Sequence, residues 1–150
     1  MYKRILVPLD GSELAERALP HAVEITRCMG SQLWLVRVSL YLGYAYNPTW
    51  DGPHYSEEKM EADRKAAAAY LELTRNQYNA HDLPGLNEVL IGPVAEVLID
   101  YARAKSVDLI VMSTHGRSGL SRWVMGSVTD KVVRGAHCPT LIIRGPATDD

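Results

Sequence analysis

The residues best suited to chemistry lie in one run: Ser113-Thr114-His115-Gly116-Arg117-Ser118-Gly119-Leu120-Ser121-Arg122-Trp123-Val124-Met125-Gly126-Ser127. It holds three glycines, four serines, one threonine and two arginines, and it contains no acid. Glycine lets a backbone approach an oxyanion closely, because no Cβ holds its N–H away. Gly126-Ser127 opens a helix, where free N–H groups and the dipole favour an anion, and the Ser127 hydroxyl adds a donor. Arg117 and Arg122 either neutralise charge or face solvent, and His115 either touches an anion or orients the loop. A second run, Pro8-Leu9-Asp10-Gly11-Ser12, offers one carboxylate. Asp10 reads either as an acceptor for ligand hydroxyls or as a turn residue that supports the next helix. No G-x-x-x-x-G-K-[ST] and no G-x-G-x-x-G occurs, so neither a P-loop NTPase nor a dinucleotide enzyme is supported. Gly116-Arg117-Ser118-Gly119 also lacks the G-x-S-x-G spacing that lifts a hydrolase nucleophile above a sheet.

These loops need a scaffold, and the rest of the chain supplies strands alternating with helices. Ile5-Leu6-Val7 is a short apolar run cut off by Pro8 and Asp10, as in a buried strand. Ser12 N-caps a helix whose Leu14, Ala18, Ala22 and Ile25 share one face; Pro20 inside it predicts a kink, and Gly30 ends it. Leu33 to Val38 is the second strand. Residues 41–55 interleave Tyr41, Tyr44, Tyr46, Trp50 and Tyr55 with glycine and proline, as in a lid or in a loop folded onto its own domain or a second subunit. A strong helix former runs from Glu57 to about Asn79, and Pro84 and Gly85 close the turn after it. Glu88 to Gly92 is the third strand. Pro93 opens a helix carrying Val94, Val97, Leu98, Tyr101 and Ala102 on one side. Asp108 to Met112 is the most hydrophobic strand and is expected at the centre of a parallel sheet. A helix from Ser127 to about Gly135 and a last strand, Thr140 to Ile143, complete the pattern, with a frayed tail from Pro146.

The order βαβαβαβαβ predicts one α/β domain over residues 1–150: a doubly wound parallel five-stranded sheet with helices on both faces. In such sheets ligands bind beyond the C-terminal strand ends where the strand order reverses, which sets the loop after Val7 opposite the loop after Met112. A net charge of −2 argues against a nucleic-acid partner, and no apolar run reaches the ~20 residues of a membrane span. A cytoplasmic protein is expected. Cys28 and Cys138 make no disulfide framework and read as two reduced, buried thiols. No Cys/His spacing suits a metal.

The combination resembles the universal stress protein family, in its ATP-binding branch, over nearly the whole chain. The resemblance runs through Lys3 to Ser12, Val36-Arg37-Val38, Asp108 to Gly116, Gly126-Ser127-Val128-Thr129 and His137-Cys138-Pro139. The family's motif G-x2-G-x9-G-[ST] is met by Gly116, nine intervening residues and Gly126-Ser127, while Ser113 stands at the first glycine position. The resemblance implies a Rossmann-like fold of the adenine nucleotide alpha-hydrolase type. It further implies a site that binds ATP, with AMP, ADP or cyclic AMP as alternatives, and Mg2+ carried by the phosphates. Asp10 would meet the ribose and adenine side, Pro8 and Leu9 would shape that wall, and Val38 would offer backbone polar groups to the adenine edge. Met112, Ser113, His115, Gly116, Arg117, Gly126, Ser127, Val128 and Thr129 would surround the phosphates and the sugar. A homodimer through Thr140 to Ile143 and an unidentified protein partner are also implied. The function expected is nucleotide-dependent regulation in a stress response. The alternatives are a slow ATPase or nucleotide hydrolase, for which no general base or acidic metal cluster is evident near the loop, and a nucleotide-independent dimeric interaction module.

Overall fold

The computed structural model describes residues 1–39, 57–117 and 126–148, without the side chains of 115–117 and 146–148. The expectations for residues 41–55, for Arg122 and for the side chains of His115 and Arg117 lie outside what is described. The elements follow the predicted alternation: β1 (Arg4–Pro8), α1 (Glu13–Glu16), α2 (Ala18–Met29), β2 (Gln32–Ser39), α3 (Glu57–Gln77), β3 (Gly85–Ile91), α4 (Val94–Ala104), β4 (Leu109–Arg117), α5 (Ser127–Gly135) and β5 (Thr140–Thr148). All five strands are parallel, in the order β3-β2-β1-β4-β5. The order reverses between β1 and β4, where the sequence placed the switch point. The sheet's middle strand is β1; β4 is interior but one place off centre.

Alternation along the strands builds two cores. Ile5, Val7, Leu33, Leu35, Leu109 and Val111 face one way and pack with Ala18, Leu19 and Ala22 of α2 and Leu71 of α3. Leu6, Trp34, Val36, Ile110 and Met112 face the other way, against Leu98 and Ala102 of α4 and Val132 of α5. Successive side chains of a strand point to opposite faces, so strands apolar throughout must be covered on both.

Four expectations are corrected. The first helix does not kink at Pro20; it breaks at Arg17 into α1 and α2. Pro20 has no N–H for the Glu16 carbonyl and its ring crowds that oxygen. The break puts proline in the first turn of α2, where an N–H needs no intrahelical partner. Gly85 belongs to β3, not to the turn. It pairs with Leu33 at φ +143°, and a Cβ there would lie 1.9 Å from the Leu33 carbonyl oxygen. Ser113 to Arg117 continues β4 as strand, and β5 runs on through the supposed tail, with Gly116 opposite Ala147 and Arg117 opposite Thr148. Mutual pairing holds both ends, with a register shift between Thr114 and Gly116. Finally, Cys28 is exposed, its thiol donating to Glu24 at 3.5 Å, and Cys138 is only half-buried.

Candidate functional site

At the switch point the chain leaves β1 through Leu9, whose N–H donates to the Val36 carbonyl at 2.8 Å. Asp10 then accepts from the Ser12 N–H at 2.9 Å and from the Ser12 hydroxyl at 2.6 Å, both on Oδ1. Ser12 in turn accepts from the Ala15 N–H at 3.1 Å and caps α1. Gly11 between them has φ +89°, a conformation glycine adopts without penalty. Asp10 therefore does the turn work that its plain reading required. Asp10 is exposed, and its second oxygen, Oδ2, has no hydrogen-bond partner among the described residues.

Val38 carries the neighbouring wall. Gln32 N–H donates to Lys3 and Val36 accepts from Leu9, so the even-numbered residues of β2 turn their backbone groups toward β1. By the two-residue period of a strand Val38 faces the same way, but β1 has ended opposite Val36. Its N–H and carbonyl thus look past β1 into the space at the strand ends.

The third wall is the start of α5. Gly126 is the N-cap, and the first intrahelical bond runs from Asp130 N–H to Gly126 O at 2.9 Å. The N–H groups of Ser127, Val128 and Thr129 precede that bond and carry the partial positive charge of a helix start. Two long contacts tie this turn to β4: Gly126 N–H to Thr114 Oγ1 at 3.4 Å, and Thr129 Oγ1 to Ser113 O at 3.5 Å.

These walls enclose a cavity of about 230 Å³. Of the residues predicted for the site, Pro8, Leu9, Asp10, Val38, Met112, Ser113, Val128 and Thr129 line it together. Gly126 and Ser127 stand next to it at the N-terminus of α5 and do not line it. The backbone of His115 to Arg117 continues along β4. Ala15, Val94 and Leu98 also line the cavity and were not foreseen. Val94 and Leu98 had been assigned to the apolar face of their helix; that face extends beyond the core at its N-terminal end, and helical spacing alone does not mark where core gives way to cavity.

Behind the Asp10 wall, α1 is fastened to α3. The Tyr70 hydroxyl donates to Glu16 Oε1 at 2.8 Å and the Tyr78 hydroxyl to Oε2 at 3.2 Å. The Arg37 guanidinium stacks 5.0 Å from the Tyr70 ring centroid. Burial, then the Glu16 carboxylate, push the Tyr70 phenol up to about 12, and the same causes raise Tyr78. Among the described residues no group of three His, Cys, Asp or Glu could hold a metal, and no helix is long and apolar enough to cross a membrane.

Strand order, winding and a cavity at the β1/β4 switch point define a doubly wound, Rossmann-like α/β protein with a ligand-sized recess at its C-terminal strand ends. The family model described as the universal stress protein family matches residues 1–144, and the chain belongs to that family. Among curated relatives, universal stress protein MJ0531 of Methanocaldococcus jannaschii is 32% identical over 97% of this chain and 84% of its own length. Universal stress protein YxiE of Bacillus subtilis is 28% identical over 96% of this chain and all of its own length. A solved universal stress protein in complex with cAMP aligns with TM-score 0.72 at 21% identity, covering 95% of this chain and 97% of that one. An Archaeoglobus fulgidus universal stress protein in complex with dAMP aligns with TM-score 0.62 at 19% identity, covering 94% and 97%. An Arabidopsis thaliana family protein with AMP bound aligns with TM-score 0.62 at 17% identity, covering 97% and 93%. At these identities the likeness to solved structures establishes the shared fold.

Proposed function

We propose that the cavity binds an adenine nucleotide, ATP or its relatives AMP, ADP and cyclic AMP, and that the bound nucleotide governs a regulatory role in a stress response. The observation that carries this reading is the convergence of Pro8, Leu9, Asp10, Val38, Met112, Ser113, Val128 and Thr129, distant in sequence, on one recess beside the α5 N-terminus. Each wall suits one part of such a ligand. Apolar side chains and the free backbone of Val38 suit a base, the unused oxygen of Asp10 suits sugar hydroxyls, and the orphan N–H groups of α5 suit phosphate oxygens. The nucleotides named in the structures of family members support the same ligand class. Among the described residues Asp10 is the sole carboxylate lining the recess, and one carboxylate makes no magnesium cage, so Mg2+ would travel with the phosphates.

The regulatory assembly is a homodimer through the edge strand β5. Leu141 is 37% exposed there and Val133 of the neighbouring α5 is 39% exposed, leaving an apolar edge of the kind proteins cover. The direct test is to release the ligand from purified protein with acid and identify it by chromatography and mass spectrometry, then titrate the emptied protein with AMP, ADP, ATP and cyclic AMP. Saturable binding of at least one is expected; no binding of any of the four would overturn the proposal. Phosphate release measured with ATP and magnesium then separates a binder from a hydrolase.

A further inference from the structure

The short helix α1 follows the Asp10 turn at the edge of the recess, yet little in its own sequence holds it there. Its four residues close a single helical turn, too short to be stable unaided. None of the four is buried; Ala15 rests against the core and lines the recess. The break at Arg17 separates it from α2. Its position is therefore set at its two ends. At the first, Ser12 caps it and donates to Asp10 Oδ1 at 2.6 Å. At the second, Glu16 accepts from the Tyr70 hydroxyl on one carboxylate oxygen and from the Tyr78 hydroxyl on the other. We infer that Glu16 is a positioning residue for the ligand site, acting through α1 and Ser12 to hold the Asp10 carboxylate and Ala15 in place at the recess.

The support to which Glu16 is tied is itself firm. Leu71 of α3 is fully buried, and Arg75 of the same helix donates to the Leu33 carbonyl of β2 at 2.7 Å and the Leu86 carbonyl of β3 at 3.1 Å. Tyr78 stays on the last turn of α3 through its N–H, which donates to the Thr74 carbonyl at 3.1 Å. Tyr70 braces the turn before α1 as well. The Arg37 guanidinium lies 5.0 Å from the Tyr70 ring centroid, and a Cβ on Gly11 would stand 3.5 Å from that guanidinium. Both ends of α1 therefore lean on α3, one through Arg37 and the other through Glu16. The inference rests on the nucleotide reading, in which Asp10 takes the sugar. The sugar is common to mono-, di- and triphosphates, so the contribution of Glu16 must be common to them. By reciprocity a filled recess holds α1 in place in return.

Glu16→Ala removes the tie from one side. The double variant Tyr70→Phe with Tyr78→Phe removes it from the other, keeps both rings in the core, and serves if the first variant does not fold. Wild type and variants are emptied, their thermal transitions recorded, and each is titrated with AMP, ADP and ATP well below its melting temperature. Each variant is expected to keep α1 docked in about a tenth to a third of empty molecules, and so to bind all three nucleotides about 3- to 10-fold more weakly. Glu16→Ala added to the double tyrosine variant should weaken binding no further, because the tie is already gone. The amides of Ala15 and Glu16, which donate to Ser12, should exchange faster in the empty variants by a larger factor than those of Leu6 and Val7 in β1. A lowered melting temperature with unchanged affinities would make the tie structural only and overturn the inference. So would a further loss from Glu16→Ala in the tyrosine background, or equal acceleration of exchange in α1 and β1; all three leave the nucleotide reading standing. Failure of wild type to bind any of the three nucleotides would overturn the inference together with that reading.

Discussion

Gly126→Ala separates what the fold needs from what a ligand needs. Gly126 caps α5 at φ −55° and ψ 146°, a conformation open to any residue. A Cβ there would come no closer than 4.0 Å to Thr114 Oγ1 and Thr129 Oγ1. Neither backbone geometry nor packing within the described residues demands a glycine. Alanine is a poorer N-cap than glycine, costing up to about 1 kcal/mol. Against this, replacing glycine at a compatible conformation stabilises by about 0.4–1 kcal/mol through the unfolded chain. The two offset, and at about 2–4 °C per kcal/mol for a chain of this size the melting temperature should stay within about 2 °C. Binding should respond differently. A methyl group beside the orphan N–H groups of Ser127 and Val128 holds an anion off, and losing one hydrogen bond to a charged partner is worth about 1.5–3 kcal/mol, or about 10- to 150-fold in Kd. Calorimetric titration with ATP and AMP, beside differential scanning calorimetry of the empty protein, measures both. Undiminished affinity for every nucleotide would refute the assignment of phosphates to this helix, and a collapse in melting temperature would refute the claim that the fold tolerates a side chain here.

Three further outcomes are expected. Arg75 is 7% exposed, and its guanidinium donates to the carbonyls of Leu33, Leu86, Ala80 and Leu83 and to Asn87 Oδ1. Arg75→Met should cost about 2–4 kcal/mol in urea unfolding, and Arg75→Lys should not rescue it, lacking the planar fork. Tyr70, raised to about 12, keeps its phenol protonated in the folded state beyond the ordinary range near 10. Its stabilising contribution is whole below about 10 and is lost as the pH rises through 12, so ultraviolet titration should find Tyr70 un-ionised at pH 11 and Glu16→Gln should move it down. Leu141→Asp, on the exposed edge of β5, should turn a dimer into a monomer by sedimentation equilibrium with the nucleotide affinity retained; a wild-type monomer would refute the dimer itself.

What the sequence revealed and concealed divides by the range of the interactions involved. Strands and helices were readable because Ile5-Leu6-Val7, Leu33 to Val36 and Leu109 to Met112 are unbroken apolar runs, as expected of strands buried on both faces. The switch point followed, because alternating strands and helices leave few topologies, and it brought the Asp10 turn and the Ser113 end of β4 to one recess. The break at Arg17 was not readable: Pro20 shows that a helix must yield, but not on which side. The ends of β4 and β5 were missed because Gly116 and Pro146 read as loop residues, and only the pairing of the two strand ends, Gly116 with Ala147 and Arg117 with Thr148, makes them strand. The clasp of Glu16 by Tyr70 and Tyr78 joins residues 54 and 62 positions apart, beyond any local pattern.

The two sides of the recess are held with unequal firmness, and this bears on where binding free energy goes. The Asp10 side is tied by short bonds, 2.6 and 2.9 Å from Ser12, with α1 anchored through Glu16 to α3 at 2.8 Å. Apart from the packing of Val132 on β4, the α5 side is tied to β4 among the described residues by two long polar contacts, Gly126 N–H to Thr114 Oγ1 at 3.4 Å and Thr129 Oγ1 to Ser113 O at 3.5 Å, both longer than a good hydrogen bond. A surface salt bridge, Lys131 to Glu96 at 3.2 Å, adds little, since both side chains are more than half exposed. On the proposed reading the sugar end would meet a wall already in place, and a ligand would gain there without ordering anything. At α5 the orphan N–H groups and the long contacts are groups with something still to gain, and on the proposed reading an anion seated there would satisfy the N–H groups. α5 also packs Val132 into the core shared with α4, so α4 and β4 are its principal neighbours.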